Sequence, residues 1–320
     1  MVNFRFFNFA LLAMALALAL GSAPAARADD PFANSKVRLA DLNGDGGYRR
    51  TQNPVYADVR QKMMKRQVLE EYAKFLSPLR LPKTLWIFAE ECEGGVGASP
   101  HYSPGARAMV MCYQFMKLVE DRAAMIAHYQ AQDPSAFPWR VNRDGFLAGA
   151  FTGVILHETG HAIFDILDVP VFGREEDAAD EMSTFVALQF SRPLANVVVA
   201  AYADLAETFA NPPTEAPNPK DPHYPKDAEG QCFSDPFCAW ADVHGSWGQR
   251  FFNTLCLTYG ADPSGYAFLA AWLPKDRDCP AEYKRVYQAF AKTVYPFIDP
   301  AQRTLVQAHP WFRANELLLR

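Results

Sequence analysis

His157-Glu158-Thr159-Gly160-His161 sets two imidazoles four residues apart, with a carboxylate beside the first. The run from Gly145 to Asp168 contains no proline, so the segment reads as a helix, on which residues four apart lie one turn above each other on one face. Both imidazoles can then reach one Zn2+ at about 2.0–2.1 Å, and Glu158 turns toward the position where water would sit. A carboxylate so placed takes a proton from water activated by the metal and passes it to a leaving amine. Such a site needs a third protein ligand and partners that orient the ligands. Arg174-Glu175-Glu176-Asp177-Ala178-Ala179-Asp180-Glu181 can supply both. Glu176 and Asp180 are four apart and share a helix face, so Glu176 is read as the third ligand and Asp180 as acceptor of a ligating histidine's outer N–H. Glu175, Asp177 and Glu181 compete for the ligand role, but Glu175 sits one position off that face. If the first helix ends near Asp165 it overshoots His161 by roughly 6 Å, and Asp168 to Gly173, extended at about 3.3 Å per residue, is long enough to return. Val169-Pro170-Val171-Phe172 is therefore expected to be extended, and Ala178 and Ala179 allow the two helices to meet closely.

The elements that would hold these residues are mostly helical. Apolar spacing predicts helices over 56–76, 114–130, 146–166, 177–190 continuing toward 209, 241–257 and 282–297. Thr84 to Ala89 and Ala108 to Tyr113 are β-rich runs, read as a long hairpin. The expected class is α+β, mainly helical, with a small N-terminal β-hairpin or sheet and a helical C-terminal half, in a single domain over 55–320. Residues 211–230 hold six prolines and few apolar residues, so they form a surface loop. Residues 29–54 are polar and Gly-rich and are expected to be an ordered coil or a tail. Within them Asp41, Asn43 and Asp45, followed by Gly46, match the first half of a calcium loop. Gln52 stands where a closing acid is needed, so the segment reads as a turn-rich loop rather than a calcium site.

The chain has 320 residues, 50% hydrophobic and 21% charged, which supports a large core and excludes intrinsic disorder. With 31 Lys and Arg against 36 Asp and Glu, the formal charge of -5 offers no basic excess for nucleic acid. Residues 1–28 read as a cleaved secretory signal: Arg5, the apolar run from Phe6 to Leu20, and the small-x-small end Ala26-Arg27-Ala28. The next apolar stretch, Gly145 to Leu156, has twelve residues and is too short to span a bilayer, so no stable membrane span is expected after signal cleavage. The protein is thus expected to be exported, periplasmic or extracellular. In that compartment its six cysteines read as disulfides, paired in sequence as Cys92 with Cys112, Cys232 with Cys238, and Cys256 with Cys279. A thiolate metal site is disfavoured because no C-x-x-C pair exists.

His157 to His161 with Glu176 to Asp180 resembles the gluzincin branch of zinc metallopeptidases, to which the thermolysin-like enzymes belong. More closely, HETGHAIFDILDVPVFGREEDAADE looks like a bacterial metallopeptidase family, many of whose members are exported. The similarity extends over QVLEEYAKFLSPLRLP, the MCYQ end of the Cys92 to Cys112 segment and HGSWGQRFFNTLCLTYGADP, roughly residues 65 to 285. The resemblance implies a zincin-like fold, one catalytic zinc on His157, His161 and Glu176, Glu158 as general base, and a peptide or protein substrate. Asp242-Val243-His244 is similar to the segment in which a histidine steadied by an acid hydrogen-bonds the oxyanion; a surface or helix-capping role for His244 stays open. Arg250 and Arg285 are candidates to meet a substrate carboxylate, against an ordinary structural role. The family places a small polar stretch where this chain has Gly97-Ala98-Ser99-Pro100-His101-Tyr102-Ser103-Pro104, which puts side-chain selectivity there in question. Two other readings stay open: a non-catalytic envelope protein that keeps the fold for binding, and a zinc amidohydrolase acting on a non-peptide amide. The sequence does not set the oligomeric state.

Overall fold

The computed structural model describes residues 35–41, 44–93, 98–132, 141–210 and 246–300, with the backbone alone in 124–132 and 206–210. In chain order the elements are β1 (Val37–Leu39), α1 (Pro54–Lys65), α2 (Val68–Leu76), β2 (Leu85–Glu90), β3 (His101–Ser103), β4 (Ala108–Cys112), α3 (Tyr113–Gln132), α4 (Arg143–Ile166), α5 (Glu175–Ala187), α6 (Arg192–Ala210), α7 (Trp247–Ala261) and α8 (Cys279–Thr293). The strands form one sheet in the order β1-β2-β4-β3. The fold is mainly helical α+β.

Alternation along the strands builds two cores. Ile87, Ala89, Met109 and Met111 point to the face covered by Leu69, Tyr72 and Leu76 of α2 and by Ile155, Ala162 and Ile163 of α4. Phe88, Ala108 and Val110 point to the other face, against Phe115 and Val119 of α3 and Phe146 and Ala150 of α4. Helix α4 is buried on nearly every side because it contributes to both layers. Asn142 begins it, its side chain accepting the Gly145 N–H at 2.7 Å. The C-terminal helices form a further core around Phe185, Leu255, Tyr283 and Tyr287.

Several expectations change. The two β-rich runs are not the arms of a hairpin: β2 and β4 pair in parallel, and the hairpin partner of β4 is β3, which runs antiparallel at the sheet edge. The connection from Glu91 to Arg107 is long enough for the crossover a parallel pair requires. Of the two readings for the N-terminal segment, residues 35–41 and 44–53 follow the ordered one and add a strand to it, since β1 pairs with β2 and Tyr48 is buried and bridges to Ala89. The expected helix over 56–76 is two helices, separated where Gln67 takes a left-handed φ of 52°. The expected continuation from 177 toward 209 breaks after Ala187; Pro193 then sits in the first turn of α6, where its missing N–H costs nothing. The last helix stops at Thr293, and a 3-10 turn over Tyr295–Phe297 follows.

Disulfides join Cys92 to Cys112, at the ends of the parallel strands, and Cys256 to Cys279, between α7 and α8. Cys232, Cys238, the expected signal segment 1–28 and the expected loop over 211–230 lie outside the described residues, as does Asn43. Asp41 Oδ1 accepts the Asp45 N–H at 2.8 Å, shaping a turn. No helix among the described residues is long and apolar enough to cross a membrane. Two buried disulfides fit an exported protein.

Candidate metal centre

The site is assembled by α4 and α5, which approach closely. A Cβ built on Gly160 would lie 3.1 Å from the Ala179 Cα, so glycine at 160 opposite alanine at 179 sets the spacing of the two helices. Ser183 Oγ donates to the Gly153 carbonyl at 2.6 Å and fixes their register. From behind, the Tyr72 hydroxyl of α2 meets Thr159 and donates to the Ile155 carbonyl at 3.1 Å, tying the histidine-bearing turn to the sheet layer. Between α4 and α5, residues 167–174 contain no regular element, and Asp168 and Gly173 turn the chain with φ of 54° and 110°.

Three side chains converge in front of this helix pair. His157 Nε2 is 3.2 Å from His161 Nε2 and 3.1 Å from Glu176 Oε2, and His161 Nε2 is 3.4 Å from the same oxygen. The outer nitrogens decide what those atoms are. His157 Nδ1 is 2.8 Å from Asp180 Oδ1 and His161 Nδ1 is 2.7 Å from Glu175 Oε1. A carboxylate only accepts, so each Nδ1 carries hydrogen and Nε2 is the atom each imidazole can give to a metal once it loses its proton. The two Nε2 atoms and a carboxylate oxygen thus face one another, and a cation can take the place of the protons between them. Tetrahedral Zn2+ with ligands at about 2.0–2.1 Å needs donor atoms about 3.3–3.4 Å apart, which the observed triangle nearly matches. These three residues can hold a metal ion.

Without a metal, protons supply the positive charge here. Burial opposes a charged His161, but its hydrogen bonds to Glu176 and Glu175 prevail and push it up to about 9. His157 is raised as well, against burial, by Asp180 and Glu176. Glu175, Glu176 and Asp177 occupy the first turn of α5, where the helix dipole favours negative charge.

Glu158 is 7% exposed, and burial raises its carboxyl above the usual range while the two histidines and the Tyr102 backbone N–H pull the other way. Tyr102 lies on the edge strand β3, and its hydroxyl donates to Asp165 Oδ2 at 2.6 Å, so both ends of this residue hold β3 against α4. A buried, raised carboxyl beside these histidines suits proton transfer near neutral pH.

Asp180 is 2% exposed. Burial works against its charge, yet the hydrogen bond from His157 and the Arg250 guanidinium hold it well below the usual carboxylate range. Of the two readings open for Arg250, the structure favours the structural one: it is buried at 7% exposure against Asp180. The part Arg250 and Tyr202 take beside Asp180 was not read from the sequence. Their signals are visible in hindsight: a guanidinium on an apolar stripe of α7 (Trp247, Arg250, Phe251, Thr254) needs a buried acid, and one tyrosine stands in an Ala- and Val-rich helix. Glu175, considered as a rival ligand, meets the outer nitrogen of His161 instead. His244 and Asp242 lie outside the described residues. Cys92, His101 and Cys112 also cluster, but the two sulfurs are joined in the disulfide and are not free to ligate.

Residues 48–293 match the family described as "Putative metallopeptidase". No curated protein and no solved structure matches the chain.

Proposed function

The chain belongs to that metallopeptidase family, and from this premise we propose that it is a zinc-dependent peptidase with a zincin-like fold, exported by cleavage of residues 1–28. The observation that carries the reading is the triangle of nitrogen and oxygen atoms at 3.1 to 3.4 Å, each imidazole backed by a carboxylate on its outer nitrogen. His157, His161 and Glu176 hold one Zn2+. When bound, the metal lowers the pKa of water and polarises the scissile carbonyl.

The remaining work falls to this chain's own groups. Glu158 takes the proton of the attacking water on its carboxylate and delivers it to the amide nitrogen as the C–N bond breaks. Its burial keeps the carboxyl basic enough to do so, and the Tyr102 N–H keeps it aimed. Asp180 and Glu175 fix the tautomers of the two histidines. His244, steadied by Asp242, is assigned to the oxyanion. A peptide substrate follows from the family description.

Metal content by mass spectrometry and cleavage of an unbiased peptide library, run on wild type and Glu158→Gln, test the reading. One zinc per chain in both, with cleavage by wild type alone, is expected. Zinc in both with no cleavage by either would favour a binding protein or a hydrolase of non-peptide amides. Protein that stays zinc-free when supplied with metal would refute the site.

A further inference from the structure

Behind His157 lies a buried polar network larger than orientation by one acid requires. Arg250 of α7 grips Asp180 with two hydrogen bonds, Nε to Oδ2 at 2.6 Å and Nη2 to Oδ1 at 2.7 Å. The Tyr202 hydroxyl of α6 also donates to Asp180 Oδ1, and Arg250 Nη2 donates to that hydroxyl at 3.0 Å. With His157 Nδ1 the carboxylate receives four donors, about the number its lone pairs can take. Arg250 is in turn stacked on Trp247, 4.5 Å from the ring centroid, and the Tyr202 ring lies where a Cβ on Gly153 would come within 2.6 Å. Every member is packed on a different helix, so the position of His157 depends on α4, α5, α6 and α7 together.

Resting on the reading of His157 as a metal ligand, we infer that Arg250 and Tyr202 are positioning residues: they lock the Asp180 carboxylate in one rotamer, and thereby the His157 imidazole in the one orientation that points Nε2 at the metal. Stability alone does not account for the arrangement. A buried ion pair is commonly no more stabilising than apolar side chains of the same size, because the desolvation cost cancels the Coulomb gain. A bidentate guanidinium with a tyrosine at its side contributes direction, which a metal ligand needs and an ordinary core position does not.

The test separates direction from stability. Zinc affinity is measured by competition with a chromophoric chelator, the visible spectrum of the Co2+-substituted protein reports ligand geometry, and melting of the metal-free protein reports the fold. Tyr202→Phe keeps the ring against Gly153 and should weaken zinc on the order of 10-fold with a changed Co2+ spectrum. Arg250→Met should weaken zinc on the order of 10- to 100-fold and also lower the melting temperature, since Asp180 is left without its cation. Asp180→Asn combined with Arg250→Met removes both charges; melting should recover while zinc affinity stays low. Wild-type zinc affinity and Co2+ spectrum in Tyr202→Phe, or a double variant that recovers affinity together with melting, would overturn the inference and leave the zinc site standing. Failure of the wild type itself to bind Zn2+ or Co2+ would overturn both.

Discussion

Helix α5 presents Glu176 and Asp180 to the site, and Glu181 on the same helix tests how this segment responds to pH. Burial, and after it the charges of Glu282 and Asp177, push the Glu181 carboxyl up to about 7 from 4.5, against Arg285 and Arg277. An acid raised on folding opposes the native state once ionised: stability is highest below the unfolded value near 4.5 and falls until pH passes about 7. The full shift corresponds to about 3 kcal/mol, reduced to about 2 kcal/mol because the side chain retains some contact with water. Glu181→Gln removes the charge at nearly constant shape. The two proteins should melt alike at pH 4, and the variant should gain about 2 kcal/mol by pH 8, a rise of roughly 3 °C for a chain of this size. Thermal melts of metal-free protein across pH 4 to 8.5, followed by circular dichroism, measure it. Parallel pH profiles, or a variant less stable than wild type at pH 8, would refute the electrostatic reasoning.

Other consequences concern the site and the staples. Glu176→Gln should weaken zinc binding on the order of 100-fold or more, whereas Glu175→Gln, at an exposed carboxylate that only backs His161, should cost about 10-fold or less by chelator competition; the reverse order would exchange their roles. Because zinc must displace the proton that His161 holds up to about 9, its apparent affinity should rise with pH from 6.5, about tenfold per unit if one proton is released, and level off above 9. A pH-independent affinity would contradict the raised pKa of His161. Replacing Cys256 and Cys279 by alanine opens a loop with a sequence separation of 23 and should cost about 3 kcal/mol in denaturant unfolding, without changing zinc stoichiometry. No loss of stability would mean that the pair does not form in the protein.

The chemistry was more legible than the architecture, for a physical reason. Helical geometry alone puts His157 over His161 and Glu176 over Asp180, so local spacing suffices to read which residues share a face. Two of the three sequential cysteine pairs were readable likewise, each closing a short segment. The sheet was not, because Leu85–Glu90 and Ala108–Cys112 are apolar runs whose relative direction depends on where the chain between them travels. Its three-residue strand His101–Ser103 carries no alternation by which to recognise it, yet it decides that the central pair is parallel. Gln67 and Pro193 mark helix breaks through backbone conformation, which apolar periodicity averages over. Arg250 and Tyr202 reach Asp180 from 70 and 22 residues away, and such partners become visible only when tertiary packing removes water from the acid.

The central claim is that one zinc ion sits between His157, His161 and Glu176. Zinc K-edge absorption on the reconstituted protein addresses it directly, since the first shell distinguishes nitrogen and oxygen from sulfur. N/O scatterers alone are expected at about 2.0–2.1 Å, with the outer-shell signature of two imidazoles, and loss of one imidazole in His161→Ala. Sulfur at about 2.3 Å, or an unchanged spectrum in that variant, would contradict it.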